Sequence, residues 1–212
     1  MLIGLTGGYC SGKNEAAALL ASRGWTCFDV DRIGHEAVDL ARDAIAERFG
    51  TGVLAPDGSV DRRAVARIVF SDPRALADQE AIVHPVAIRL LGERISAAEA
   101  EARAAGRPAR ICVNAALLHR GGLLASCDAI VELRAPLLLR LRRGMRRDGL
   151  GPLAVLRRIW SQRGFRPALR ALARGAGRPI FILFNKGGLD ELTRGIDRLL
   201  GRLPPPIAAK GS

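Results

Sequence analysis

The first fifteen residues constrain what the rest of the chain can become. Residues 2–6, Leu-Ile-Gly-Leu-Thr, form a short apolar run of the kind that makes a buried parallel strand. The run stops at Gly7-Gly8, where the backbone is free to turn sharply. After Gly12-Lys13, the stretch Asn14-Glu15-Ala16-Ala17-Ala18-Leu19-Leu20 is a strong helix former that Gly24 brings to an end. A chain that opens this way sets a glycine-rich turn between the end of a strand and the start of a helix.

Gly-x-x-x-x-Gly-Lys in that context is the pattern of a phosphate-binding loop. Inward-facing N–H groups and the positive end of a helix meet a polyphosphate, and Lys13 adds a full charge at the β and γ positions. Gly8, Tyr9, Cys10, Ser11, Gly12, Lys13, Asn14 and Glu15 are therefore the candidate nucleotide-binding residues. The residue after the lysine is ordinarily Ser or Thr, whose hydroxyl ligates Mg²⁺. Here it is Asn14, whose amide oxygen is the candidate metal ligand, directly or through a water. Lysine occurs at 13, 186 and 210 and nowhere else, among 33 basic residues, so a drift toward arginine has spared the site that needs a flexible point charge.

A chain of 212 residues suits one α/β domain with a small inserted lobe rather than two full domains. No apolar run approaches the ~18 residues of a membrane span, and the start lacks a basic region followed by an apolar stretch. A cytoplasmic protein with no membrane partner is expected. Cys10, Cys27, Cys112 and Cys127 form no metal or C-x-x-C spacing; Cys27 and Cys112 read as core residues and Cys10 as a candidate oxidation site. The net charge of +12 raises nucleic acid as a partner. Against it, the arginines are spread through helices and no aromatics are interleaved to stack on bases. A basic surface equally suits an enzyme whose ligands are polyphosphates.

Further along, residues 25–31 read as a second buried strand ending in two carboxylates, Asp29 and Asp31, on one side of the strand. Ligands bind at the C-terminal ends of strands in open parallel sheets, so Asp31 is a candidate to orient a hydroxyl acceptor and take its proton. Capping of a helix starting near Arg32 is the plainer alternative. Residues 33–108 then change to helices without a strand: a turn at Asp57-Gly58, a helix capped by Asp61 carrying Val65, Ile68 and Val69, another opened by Asp72-Pro73, and a break at His84-Pro85. Strands return at 110–115, 129–135 and 179–185, giving five strands that alternate with helices in a doubly wound parallel sheet. Pro136 sits in the first turn of a helix that carries Leu138, Leu141 and Met145 inward and Arg140, Arg143 and Arg147 elsewhere. Gly149-Leu150-Gly151-Pro152 and Arg157, Arg158, Arg163 and Arg166 follow, the composition of an arginine-rich lid.

The order Gly-Leu-Thr-Gly-Gly-x-x-Ser-Gly-Lys, Asp-x-Asp, Asp57-Gly58-Ser59-Val60-Asp61-Arg62, Val69-Phe70, Ile82-Val83-His84-Pro85 and Arg143-x-x-x-Arg147-Asp148 leading to Gln162 resembles the dephospho-CoA kinases. The resemblance runs from Leu2 to about Leu200. It implies a P-loop kinase domain over 1–203 (core 1–32 and 109–203, a helical insertion on the CoA side at 33–108, a lid at 148–173) with a disordered tail at 204–212. It implies transfer of the γ-phosphoryl of ATP, with Mg²⁺, to the ribose 3′-hydroxyl of dephospho-CoA by a monomer or weak oligomer. In that family Asp31 takes the hydroxyl proton, Lys13 and residues 8–15 hold the phosphates, and Arg143 and Arg147 stabilise the moving phosphoryl. Asn185 lies near the adenine, and Arg63 and His84 belong to the lobe that meets the CoA moiety.

The chain departs from the family at Asn14, at Asn114-Ala115-Ala116-Leu117-Leu118-His119-Arg120, where a Pro and a Glu are expected, and at Phe184, where an Asp commonly precedes the Asn. The loop and Asp31 are intact, which favours an active enzyme with altered metal contacts. Another P-loop small-molecule kinase, or a weakly catalytic nucleotide- or CoA-binding protein, stays open as an alternative. A GTPase is disfavoured, because Asn185-Lys186-Gly187-Gly188 lacks the Asp that reads guanine.

Overall fold

A computed structural model describes residues 1–203 except 117, 119–121 and 163. The expected tail at 204–212, the departures at Leu117, His119 and Arg120, and Arg163 lie outside the described residues. The elements run β1 (Leu2–Gly7), α1 (Lys13–Ala21), β2 (Thr26–Asp29), α2 (Val30–Leu40), α3 (Arg42–Phe49), α4 (Arg62–Ser71), α5 (Pro73–Ala104) and β3 (Ile111–Asn114). They continue as α6 (Leu123–Ser126), β4 (Ala129–Arg134), α7 (Leu137–Asp148), α8 (Pro152–Ser161), α9 (Phe165–Gly175), β5 (Ile180–Phe184) and α10 (Leu189–Leu200). Two compact units emerge, one from residues 1–29 with 98 onward and the other from Val30–Ala97.

The first unit holds a five-stranded sheet in the order β2-β3-β1-β4-β5, every neighbouring pair parallel. β1 is central, and Ile3 and Leu5 on it are fully buried. Ile3 and Leu5, with Cys112, Val131, Leu133 and Leu183, meet Ala16 and Leu20 of α1 and Leu192, Ile196 and Leu199 of α10 in one core. Each fully buried aliphatic side chain there contributes roughly 1.5–3 kcal/mol. On the other face Gly4 leaves room that Leu118 fills. α1 ends in a Schellman motif at Gly24, whose φ is 81°: the Gly24 N–H donates to Ala21 O at 3.0 Å and the Trp25 N–H to Leu20 O at 3.2 Å.

The second unit is helical, with Leu54 and Val60 forming an isolated antiparallel bridge around the Asp57-Gly58 turn. Asp61 caps α4 by accepting from the N–H groups of Arg63 (2.9 Å) and Ala64 (3.2 Å). Val65 and Val69 pack with Ala37, Ile45, Val53 and Val83 in this unit's own core.

Four expectations need correction. The chain does not break at His84-Pro85: α5 runs for 32 residues with Pro85 inside it. One missing donor is a local defect in a helix fixed on both sides by buried Ala75, Val83, Leu91 and Ala102. β2 is an edge strand that stops at Asp29, and Asp31 stands in the first turn of α2, so the two carboxylates do not share a strand face. Pro136 is the N-cap of α7 rather than part of its first turn. Finally, α7 is turned the other way round: Leu138 is 79% and Met145 39% exposed, Leu141 is half-buried, and the buried residue is Gly144.

Because a proline in a helix interior costs about 3 kcal/mol relative to alanine, Pro85→Ala should raise stability by about 1–3 kcal/mol. Denaturant unfolding with an unchanged slope checks this; a loss of stability would mean that the proline is needed for the shape of α5.

Candidate active site

The phosphate loop leaves the C-terminal end of central β1 and enters α1 at Lys13, as the spacing demands. Its glycines are required sterically. A Cβ on Gly7 would lie 2.5 Å from Leu133 O and 2.7 Å from Ser11 Oγ, and Gly12, at φ 96°, stands against the Asn185 amide. Cys10 adopts φ 56°, the one left-handed residue other than glycine among those described. Lys13 Nζ donates to Gly7 O at 3.2 Å, which folds the side chain back over the loop. Residues 10–15 with Arg143, Arg146 and Arg147 enclose a cavity of about 420 Å³.

The reversed face of α7 explains that cavity. Arg140, Arg143, Gly144 and Arg147 follow i, i+3, i+4, i+7 and so share one stripe of the helix. Arg140 Nε donates to Tyr9 O at 2.7 Å. Arg143 Nη1 reaches Ser11 O at 3.5 Å and its Nη2 donates to Asn185 Oδ1 at 3.2 Å. Burial, and then repulsion from Arg166, lowers the Arg140 pKa.

Asn185, 2% exposed just beyond β5, completes the support: its Nδ2 donates to Ser11 O at 3.0 Å. The loop carbonyl is thereby held away from the cavity, leaving N–H groups for an anion. Glu132 on β4 is almost fully buried and binds Arg134 (2.8 and 2.6 Å) and Arg166 of α9 (2.9 Å). Burial alone would raise its carboxyl pKa, but the two guanidinium groups hold it below the usual range. This triad fixes the start of α9 to the sheet.

Asn14 is exposed and its Oδ1 accepts from Asn114 Nδ2 at 3.0 Å, joining two of the departures in one pair at the end of β3. The Asn114 Oδ1 is buried without a hydrogen-bond partner among the described residues. Glu15 lies in the first turn of α1, where a carboxylate suits the helix dipole. Gly8 is overlain by the Arg140 guanidinium. Tyr9 is engaged on its N–H by Gln162 Oε1 at 2.7 Å and on its hydroxyl by Asp148.

Asp31 lies in the first turn of α2, two residues beyond the end of β2. Arg63 borders a recess of about 640 Å³ in the helical unit with Asp39, Ser59, Asp61 and Arg62, and His84 is exposed midway along α5. Arg140, Arg146 and the Asn114 partner of Asn14 were not identified as site residues from sequence. For Arg140 and Arg146 the signal was the arginine density of α7, and for Asn114 only its place at a strand end.

Asn185→Ala removes the bonds to Ser11 O and Arg143. At about 1–2 kcal/mol this should weaken ATP binding roughly 5–30-fold with the fold intact. Calorimetric titration checks it; an unchanged affinity would mean that the loop holds its shape without Asn185.

The sequence profile of the family described as dephospho-CoA kinase matches residues 1–170. A dephospho-CoA kinase of Anaeromyxobacter dehalogenans is 39% identical across 95% of this chain and 92% of its own length. One from Leifsonia xyli is 38% identical across 93% and 96%. A crystal structure of a Thermus thermophilus protein superposes with a TM-score of 0.76 at 34% identity, covering 97% of this chain and 98% of that one. The Campylobacter jejuni dephospho-CoA kinase shares the fold, with a TM-score of 0.62 at 18% identity over 94% and 95%. With its phosphate loop, its arginine stripe and this similarity along nearly its whole length, the chain belongs to the dephospho-CoA kinase family.

Proposed function

We propose that this chain phosphorylates the ribose 3′-hydroxyl of dephospho-CoA with ATP, giving coenzyme A and ADP. The observation that carries the reading is the cavity in which residues 10–15 face Arg143, Arg146 and Arg147: donors and positive charge converge where a triphosphate would lie, in a chain of this family. Lys13 and the loop N–H groups hold the phosphates, and Arg143 and Arg147 meet the charge that spreads over the moving phosphoryl. Asp31 orients the acceptor hydroxyl and takes its proton as its oxygen bonds to the γ-phosphorus and the bond to the β-phosphate oxygen breaks. Asn185 acts on the nucleotide through Ser11 and Arg143, while Arg63 and His84 serve the CoA side. Both substrates suit a cytoplasmic enzyme.

The Mg²⁺ expected with ATP fits the residues present. Asn14 and Asn114 offer hard amide oxygens at the mouth of the loop, and the Asn114 Oδ1 is a buried acceptor in need of a donor such as a cation's water. When bound, the ion supplies charge neutralisation between the phosphates. These neutral amides would hold it with less charge than a hydroxyl and carboxylate pair, leaving more of the task to Lys13 and the arginines. Of the proposed lid at 148–173, α9 is anchored by Arg166 on Glu132 and by buried Phe165, Leu169 and Ala173, and α8 by buried Val155 and Ile159 and by the bond from the Tyr9 N–H to Gln162.

Asp31→Asn should lower dephospho-CoA-dependent ADP release by about two to four decades while ATP affinity stays within about twofold. Turnover equal to that of the unaltered chain would remove Asp31 from the role of base.

A further inference from the structure

Tyr9, the chain's one tyrosine, occupies a position of the loop that the Gly-x-x-x-x-Gly-Lys pattern leaves unspecified. Its ring edge is seated on α7 at Gly144, where a Cβ would lie 2.9 Å from Cε1. Its hydroxyl donates to the Asp148 carboxylate. Over its face lie two guanidinium groups, Arg147 at 5.0 Å and Arg158 at 5.9 Å from the ring centroid. Asp148 in turn accepts from Arg147 Nε at 2.7 Å and Nη2 at 3.2 Å, and from Arg158 Nη1 at 2.9 Å.

Arg147 is thus held between an aromatic face and a carboxylate at the border of the phosphate cavity. Its side chain is 61% exposed, and a solvated arginine without such a seat would sample many rotamers. Asp148 takes two of the five guanidinium N–H donors, so the group is oriented without being used up. The arrangement is stable to pH: hydrogen bonds first from Arg147 and then from Tyr9 hold the Asp148 carboxyl down to about 2, and burial and the bond to Asp148 push the Tyr9 phenol up.

We propose that Tyr9 is a positioning residue of the phosphate site: its ring, fixed by Asp148 and Gly144, presents Arg147 to the terminal phosphate of the bound nucleotide. The proposal rests on Arg147 facing that phosphate, as in the function proposed above. It gives the variable part of the loop a role of its own, since the ring extends the loop's grip from backbone N–H groups to a side chain on another helix. Arg158 on the same ring makes α8 a party to the seat.

The test is a double-mutant cycle read as nucleotide preference: affinities for ADP and for β,γ-imido-ATP, with Mg²⁺, of the unaltered chain, Tyr9→Ala, Arg147→Ala and the pair. Tyr9→Ala is expected to reduce the preference for the triphosphate about 5–10-fold in the unaltered chain and less than about twofold when Arg147 is already alanine, with ADP affinity retained. A purely structural tyrosine would weaken both nucleotides alike. An unchanged preference in Tyr9→Ala, or an equal fall in both backgrounds, would overturn the proposal. If Tyr9→Ala loses ADP binding, Tyr9→Leu takes its place in the cycle, filling the seat at Gly144 without a π face. No acceptor enters the experiment, so a failure to phosphorylate dephospho-CoA would leave this result standing, and a flat cycle would leave the acceptor assignment standing.

Discussion

A loop that binds phosphate through its backbone has to leave N–H groups for the anion and still hold its shape. Its internal support is small, a turn closed by the Ser11 N–H on Gly8 O at 3.0 Å and Lys13 on Gly7 O, and other elements of the first unit supply the rest. Tyr9 O is taken by Arg140, Ser11 O by Asn185 and Arg143, and Gly7 O by Lys13. With loop carbonyls engaged from behind, the helix start and the remaining N–H groups define the cavity. Arg140 and Arg143 engage the carbonyls and Arg143, Arg146 and Arg147 form the positive wall of the cavity, so support and electrostatics come from one helix.

This requirement accounts for the orientation of α7, which was the least legible element in the sequence. Leu138, Leu141 and Met145 form a stripe with the same period as Arg140, Arg143, Gly144 and Arg147, and the usual preference for apolar residues inside chose the wrong one. The glycine in the arginine stripe was the discriminating residue, because a helix face that must approach the Tyr9 ring has no room for a Cβ. By contrast the loop, α1 and the five strands could be read directly: Gly7, Gly12 and Gly24 mark places where the backbone itself is constrained, and the strands are apolar runs between turns. Asp61 was equally plain, since a cap acts on its own next few residues.

What escaped the reading depends on partners far away in the chain. Asn14 and Asn114 look like two separate departures and are one hydrogen-bonded pair across the end of β3. Asn185, a candidate nucleotide contact, also supports the loop at Ser11 and Gly12, a role its local sequence does not announce. Pro85 carries a strong local signal for a break, overridden by apolar contacts that fix the helix before and after it. In each case a local rule was outweighed by packing or pairing with residues tens of positions distant.

The most direct measurement is the product made by the purified chain from ATP, Mg²⁺ and dephospho-CoA, identified by mass and by ³¹P NMR. One added phosphoryl per molecule, as a monoester on the ribose 3′ oxygen and formed with one ADP, is the predicted result. ATP bound normally with no dephospho-CoA converted, or a phosphoryl group found on another oxygen, would contradict it.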